Sequence, residues 1–264
     1  MNTLVKSRIR RLERGSGPFI ATAIHDGHII RDELLKKMSI SEMDRLREED
    51  PYTELWTHIA NTRVVGLKSR FEVDLNRPRE KAVYINPEDA WNLNIWESVP
   101  SESEIAVSLS EYDDFYAEMH KLFSDFKHQF GHFVVFDLHS YNHMRNGPDD
   151  QPADPELNPE INIGTGTLDR EFWAPVVDRF INTLRDFKYY NRTLDVRENI
   201  KFRGGNFPSW TNRNFPGSAC AIAIEVKKFF MNEWTGEPDH EQINMIKSAL
   251  EATIPEVAEG LKKI

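Results

Sequence analysis

The sequence predicts an α/β protein, a three-layer αβα sandwich built as one unit over residues 1–264. Short apolar runs ending in polar residues alternate with longer stretches of helical period, the pattern of strands joined by helices. At 264 residues the chain can bury one sizeable core. No internal repeat, low-complexity tract or clear linker divides it.

Composition narrows the function classes. Hydrophobic residues at 39% and charged residues at 29% suit a soluble globular protein. A net charge of -10 argues against a nucleic-acid partner, which needs clustered Lys and Arg. It leaves small anionic ligands open, because a few arginines can dominate a cleft. The single Cys220 excludes an internal disulfide and a cysteine-rich metal site, so a cytoplasmic location is expected. No run reaches the roughly 18 apolar residues of a membrane span. Residues 1–14 mix Lys6, Arg8, Arg10, Arg11 and Arg14 with apolar residues but lack a signal-peptide core. Residues 1–15 are therefore expected as a short helix or extended arm packed on the domain.

Along the chain, Phe19 to Ile24 is expected as a strand between Gly15-Ser16-Gly17-Pro18 and Asp26-Gly27. Helices follow over Asp32 to Lys37 and from Ser41, where Asp44 three residues on signals a cap. Pro51 suits the first position of a further helix reaching Ala60. Thr62 to Leu67 and Arg70 to Leu75 read as strands. Residues 80–105 lack a period and are expected to form a long loop walling an active site. From Ser110 to Phe130, Tyr112, Phe115, Tyr116, Met119, Leu122, Phe123 and Phe126 recur at helical spacing, and Gly131 closes the helix. A buried strand over 132–140 then opens into the proline-broken segment 141–159. The remainder reads as a strand over Ile161 to Thr165, an amphipathic helix from Leu168 to Phe187 and a short strand over Thr193 to Val196. A tight loop at Arg203-Gly204-Gly205-Asn206, a buried strand over Ala219 to Val226 and a terminal helix over Ile243 to Leu261 complete it.

Four of these stretches end in reactive residues: Ile24-His25-Asp26-Gly27, Val73-Asp74-Leu75-Asn76-Arg77, Asp137-Leu138-His139-Ser140 and Ile224-Glu225. Open α/β sheets place their ligands at such carboxyl ends. A serine triad is disfavoured. Strand alternation puts Asp137 and His139 on one face and Ser140 on the other, and no Gly-x-Ser-x-Gly elbow exists. Two histidines and a carboxylate from separate segments are instead the protein ligands of an open catalytic zinc site. His25, His139 and the Glu48-Glu49-Asp50 cluster could supply them, against the plainer reading of structural histidines and a solvated helix end. Glu225 closes a wholly apolar run, where a carboxylate must be paired or functional. Beside a metal it would serve as general base and then acid; the alternative is an ion pair with Lys227 or an arginine. Asn76-Arg77 suits a bidentate grip on a substrate carboxylate, and Arg70 and Arg203 are further candidates, one of which could polarise a scissile carbonyl.

These pieces, with Glu49-Asp50, Ile163-Gly164-Thr165, Arg203-Gly204-Gly205 and Phe230-Met231, stand in an order that resembles the N-formylglutamate amidohydrolases over roughly residues 18 to 240. That family is similar to the zinc carboxypeptidases and aspartoacylase-type deacylases. The resemblance implies a zinc-carboxypeptidase-like αβα sandwich with a mixed, mostly parallel sheet. It implies zinc held by His25, Asp50 and His139, with Glu49 as the neighbouring candidate for the acidic ligand. Glu225 becomes the general base, Asn76 and Arg77 the carboxylate grip, and a small N-acyl amino acid the substrate. A carboxypeptidase, a deacylase for another acyl group and a metal-free binding domain are the alternatives. The family's Pro-His-Ser-Gly start reads Ile-His-Asp-Gly here.

Overall fold

A computed structural model describes residues 3–6 and 9–264. Eight strands form one mixed sheet: β1 (Thr3–Lys6), β2 (Arg10–Arg14), β3 (Phe19–Ala23), β4 (Thr62–Gly66), β5 (Phe133–Tyr141), β6 (Ile161–Gly164), β7 (Val196–Glu198) and β8 (Ala219–Lys227). Their spatial order is β1-β2-β4-β3-β5-β8-β6-β7. The centre, β4-β3-β5-β8, is parallel, so these four strands deliver their carboxyl ends to one edge. β2 and β6 run antiparallel on either side of that centre. Of the segment expected as a helix or arm at the N-terminus, Thr3–Lys6 and Arg10–Arg14 are strands at one side of the sheet, with Arg10 to Gly66 and Leu12 to Val64 as register pairs, and residues 1, 2, 7 and 8 lie outside the described residues.

Among the described residues there are seven α-helices: α1 (Asp32–Leu35), α2 (Glu42–Glu48), α3 (Thr53–Trp56), α4 (Glu102–Phe130), α5 (Ala174–Asp186), α6 (Asn206–Asn214) and α7 (His240–Leu261). Strand alternation sorts them into two layers. Val134, Phe136 and Leu138 of β5, with Cys220, Ile222 and Ile224 of β8, pack against Val177 and Phe180 of α5 and Ile246 and Leu250 of α7. Phe133 and Val135, with Ala219 and Ala221, pack on the opposite face against Phe115, Met119 and Phe123 of α4 and Phe207 of α6. By the same parity Asp137, His139 and Glu225 continue the second set, past the point where apolar packing ends. No described helix is long and apolar enough to cross a membrane.

Several expected elements differ for local reasons. Arg70 to Leu75 is not a strand. Glu72 and Val73 both turn back onto the Ser69 carbonyl, and the fully buried Glu72 is paired with Lys68 and Arg31. The helix expected from Pro51 starts at Thr53, because Tyr52 adopts φ 71°. α4 begins at Glu102, eight residues before the expected start at Ser110, at a capping box in which Ser101 and Glu104 satisfy each other's backbone amides. α5 starts at Ala174, later than Leu168, after a turn that ends with Trp173. The strand expected over 193–196 is β7, displaced to Val196–Glu198, and α6 follows Gly205 where the sequence shows no strong periodicity. The stretch 80–105 has only short 3-10 turns before α4, as expected of a loop.

Candidate metal centre and active-site cleft

The parallel centre of the sheet gathers the four strand-end segments. His25 follows β3, His139 lies near the end of β5, and Glu225 is the register partner of His139 on β8. Asp50 arrives from the connection between α2 and α3, where its amide donates to the His25 carbonyl at 3.0 Å. The same connection is fixed from below by Lys228, a lysine with 1% exposure. Its Nζ donates to the carbonyls of Arg47 and Glu49 at 2.5 and 2.6 Å.

The two imidazoles turn the same edge toward Asp50. Nδ1 of His139 lies 3.0 Å and Nδ1 of His25 3.5 Å from Asp50 Oδ2, and one ligand atom of each of the three residues lies within 4.8 Å of the others. Each opposite nitrogen meets a second carboxylate: His25 Nε2 is 2.7 Å from Asp74 Oδ1, and His139 Nε2 is 2.9 Å from Asp137 Oδ2. Those carboxylates are themselves anchored. Asp137 accepts from Thr22 Oγ1 at 2.7 Å, and Asp74 accepts from Arg70, the Tyr84 hydroxyl and the Asn76 amide. Carboxylates behind the imidazoles fix tautomer and ring direction, leaving the facing nitrogens as lone-pair donors.

The donor set fits a zinc ion. Bond lengths of 2.0–2.1 Å place tetrahedral ligands about 3.3 Å apart, close to the two nitrogen–oxygen separations above. The electrostatics agree. Burial alone would raise the Asp50 carboxyl, but the hydrogen bonds of His139 and His25 drive it well below the carboxylate range. Burial alone would lower the His139 imidazole, but Asp137 and Asp50 outweigh it and hold it well above its ordinary value. In the metal-free protein the cluster thus draws positive charge onto a histidine, the charge a bound cation would supply.

The Glu225 carboxyl has no hydrogen bond or ion pair among the described residues. Lys227, the partner considered from sequence, turns away to donate to the Asn158 carbonyl at 3.0 Å. Burial pushes the Glu225 carboxyl up to about 7, opposed by His139 and reinforced by Asp50. A carboxyl near neutrality facing a cleft is able both to take and to return a proton. The cleft has a volume of about 590 Å³ and is lined by His25, Asp50, Arg70, Asn76, Arg77, His139, Arg203 and Glu225, all named from sequence.

Their individual settings differ. Glu49, the alternative acidic ligand, faces away and bonds His28 and Ser69, so Asp50 alone of the pair reaches the histidines. Arg70 is held by Asp74 Oδ2 at 2.9 Å, by the Tyr84 hydroxyl and by the Glu48 carbonyl, which orients its guanidinium at the cleft wall. Asn76 Oδ1 accepts the Phe207 amide at 2.9 Å, while Arg77 is 42% exposed and only 3.8 Å from Asp74. Ser140, expected to point away from the imidazole, lines the same cleft, and its hydroxyl donates to Asp50 Oδ1 at 3.3 Å. Sequence reading missed Lys228, Arg145 and Lys201, all lining the cleft, whereas Trp91 comes from the 80–105 stretch expected to wall it. A lysine followed by Phe229-Phe230 was the one available signal, since such an ammonium must find partners. Arg145 and Lys201 sit in irregular segments and carried none.

Buried histidines backed by carboxylates, beside an unpaired glutamate in a polar cleft, equip a protein for hydrolysis, and the comparisons agree on that class. The family model described as N-formylglutamate amidohydrolase matches residues 17–231, and the chain belongs to that family. It is therefore an amidohydrolase by family. Its fold is that of N-formylglutamate amidohydrolase from Ralstonia eutropha JMP134, with a TM-score of 0.75 at 15% identity over 97% of this chain and 99% of that one. A gene product of Agrobacterium tumefaciens superposes with a TM-score of 0.67 at 19% identity, covering 97% and 96% of the two chains. No curated protein matches the chain by sequence.

Proposed function

We propose that this chain hydrolyses the amide bond of an N-acyl amino acid, with N-formyl-L-glutamate as leading substrate and formate and glutamate as products. The observation that carries the reading is the unpaired Glu225 beside His25, Asp50 and His139. His25, Asp50 and His139 would hold zinc, which supplies Lewis acidity toward water and an acyl carbonyl. Glu225 takes a proton from the attacking water as the carbon–oxygen bond forms. It returns that proton to the amine nitrogen as the carbon–nitrogen bond breaks. Arg70, held by Asp74, Tyr84 and Glu48, presents its remaining donors to the developing oxyanion. Arg77, whose nearest carboxylate is 3.8 Å away, and Asn76 grip the α-carboxylate, with Arg203 beside them in the same cleft.

Residues 1–264 act as one catalytic domain in this reading. The lone buried Cys220 supports a cytoplasmic setting. The test is formate release from N-formyl-L-glutamate, set against formyl-, acetyl- and succinyl-derivatives of other amino acids. Preferred turnover of the formylated acidic substrate supports the proposal. Preferred cleavage of a peptide or of another acyl group replaces it with a carboxypeptidase or deacylase.

A further inference from the structure

The cleft of this acidic protein is lined by six cationic side chains, more than one carboxylate and a carbonyl require. Lys228 is occupied by backbone carbonyls and Arg70 by Asp74. Arg77 and Arg203 share the cleft wall with Asn76. Arg145 and Lys201 remain.

Lys201 is a fixed cation without a counter-ion. Its amide donates to Asn162 Oδ1 at 2.8 Å, and its ammonium donates to the neutral Asn158 Oδ1 at 2.6 Å. The ammonium lies 5.3 Å from the centre of the Tyr141 ring and 5.7 Å from that of Phe202. Tyr141 ends the strand that carries His139, so this places the cation at the rim of the catalytic group. Among the described residues no carboxylate lies within ion-pair distance of Lys201. Arg145 enters from the 141–159 segment, with NH1 and NH2 3.3 and 3.2 Å from the Glu48 carboxylate and its guanidinium 5.8 Å from the Trp91 ring. It is 43% exposed, so donors remain available beyond the Glu48 contact. Burial holds the Lys201 ammonium below its usual range, Arg145 depresses it further, and Glu225 opposes both. Arg145, Lys201 and Glu225 line the same cleft, so an anion held there meets both cations. Neighbouring like charges of this kind are relieved by an anion bound between them.

We propose that Arg145 and Lys201 form a second anion subsite that binds the side-chain carboxylate of a dicarboxylic N-acyl amino acid, separate from the Asn76–Arg77 grip. The inference rests on the proposed function, and it makes these two residues the determinants of preference for an acidic over a neutral side chain. A substrate that ends in an amide at the same length offers no charge to either cation.

The test is equilibrium binding of N-formyl-L-glutamate and N-formyl-L-glutamine to the zinc-loaded Glu225→Gln protein by calorimetry, alone and combined with Lys201→Met, Lys201→Arg or Arg145→Gln. Steady-state turnover of both compounds is measured in parallel on the corresponding proteins that keep Glu225. The parent is expected to favour the diacid, and Lys201→Met and Arg145→Gln each to cut that preference roughly tenfold to a hundredfold, the scale of a charge-assisted hydrogen bond. Lys201→Arg should retain it. Equal binding of the two compounds by the parent, or a preference that survives both Lys201→Met and Arg145→Gln, overturns the subsite. Absence of turnover for every formyl amino acid would sink the hydrolase reading instead, while the binding comparison still decides this one.

Discussion

Glu225→Gln separates chemistry from stability in a single substitution. The Glu225 side chain is half-buried where a buried strand opens into the cleft and its carboxyl has no partner among the described residues, and loss of hydration there raises it from 4.5 to about 7 in the metal-free protein. A group whose folded-state pKa is raised contributes fully below its unfolded pKa and loses that contribution as pH climbs through the folded value. The wild-type, metal-free protein should therefore lose stability between about pH 4.5 and 7 relative to the glutamine variant, which does not titrate. A rise of that size corresponds to on the order of 3 kcal/mol, less whatever the cleft water recovers by solvating the carboxylate. The assay is chemical denaturation of both chelated proteins at pH 4, 6 and 8, with formate release measured at matched zinc content. The variant should be the more stable protein at pH 8, by a margin that vanishes at pH 4. Its turnover should fall by roughly a hundredfold to ten-thousandfold, the range for loss of a general acid–base group. A stability difference independent of pH, or wild-type turnover at full zinc occupancy, refutes the role given to Glu225.

Two further substitutions probe the support around the site. Asp137→Asn removes the carboxylate 2.9 Å behind His139 Nε2, and zinc affinity measured by chelator competition should weaken roughly tenfold to a hundredfold. Gly205→Ala would set a Cβ 2.3 Å from Asn76 Oδ1 and 2.4 Å from its Nδ2, atoms fixed by the Phe207 amide. Displacing that amide should lower kcat/KM for N-formyl-L-glutamate by roughly tenfold to a hundredfold, with zinc content unchanged.

The legible part of the molecule was the part governed by period. β5, β8 and α4 announce themselves through runs of apolar residues at spacings of two or 3.6, and their layers follow from strand parity. The same parity put Asp137 and His139 on one face, which the 2.9 Å contact bears out. Asp50 was harder, because it lies in a turn where Glu49 is chemically its equal. What separates them is the direction of two adjacent side chains, set by the Asp50 amide on the His25 carbonyl and the Lys228 clamp on the preceding carbonyls. Asp74 lay in a segment read as a strand, so its place behind His25 was invisible until the Ser69 turn was seen. Arg145 and Lys201 come from segments with no period, and only tertiary folding brings them to the cleft.

The central claim is that His25, Asp50 and His139 hold a zinc ion that amide hydrolysis requires. The most direct measurement is zinc content per chain together with formate release from N-formyl-L-glutamate, before chelation, after chelation and after zinc is restored. The account predicts about one zinc per chain, activity that disappears with the metal and returns with it, and no zinc bound by His139→Ala. Full activity in a chelated, zinc-free protein would contradict it.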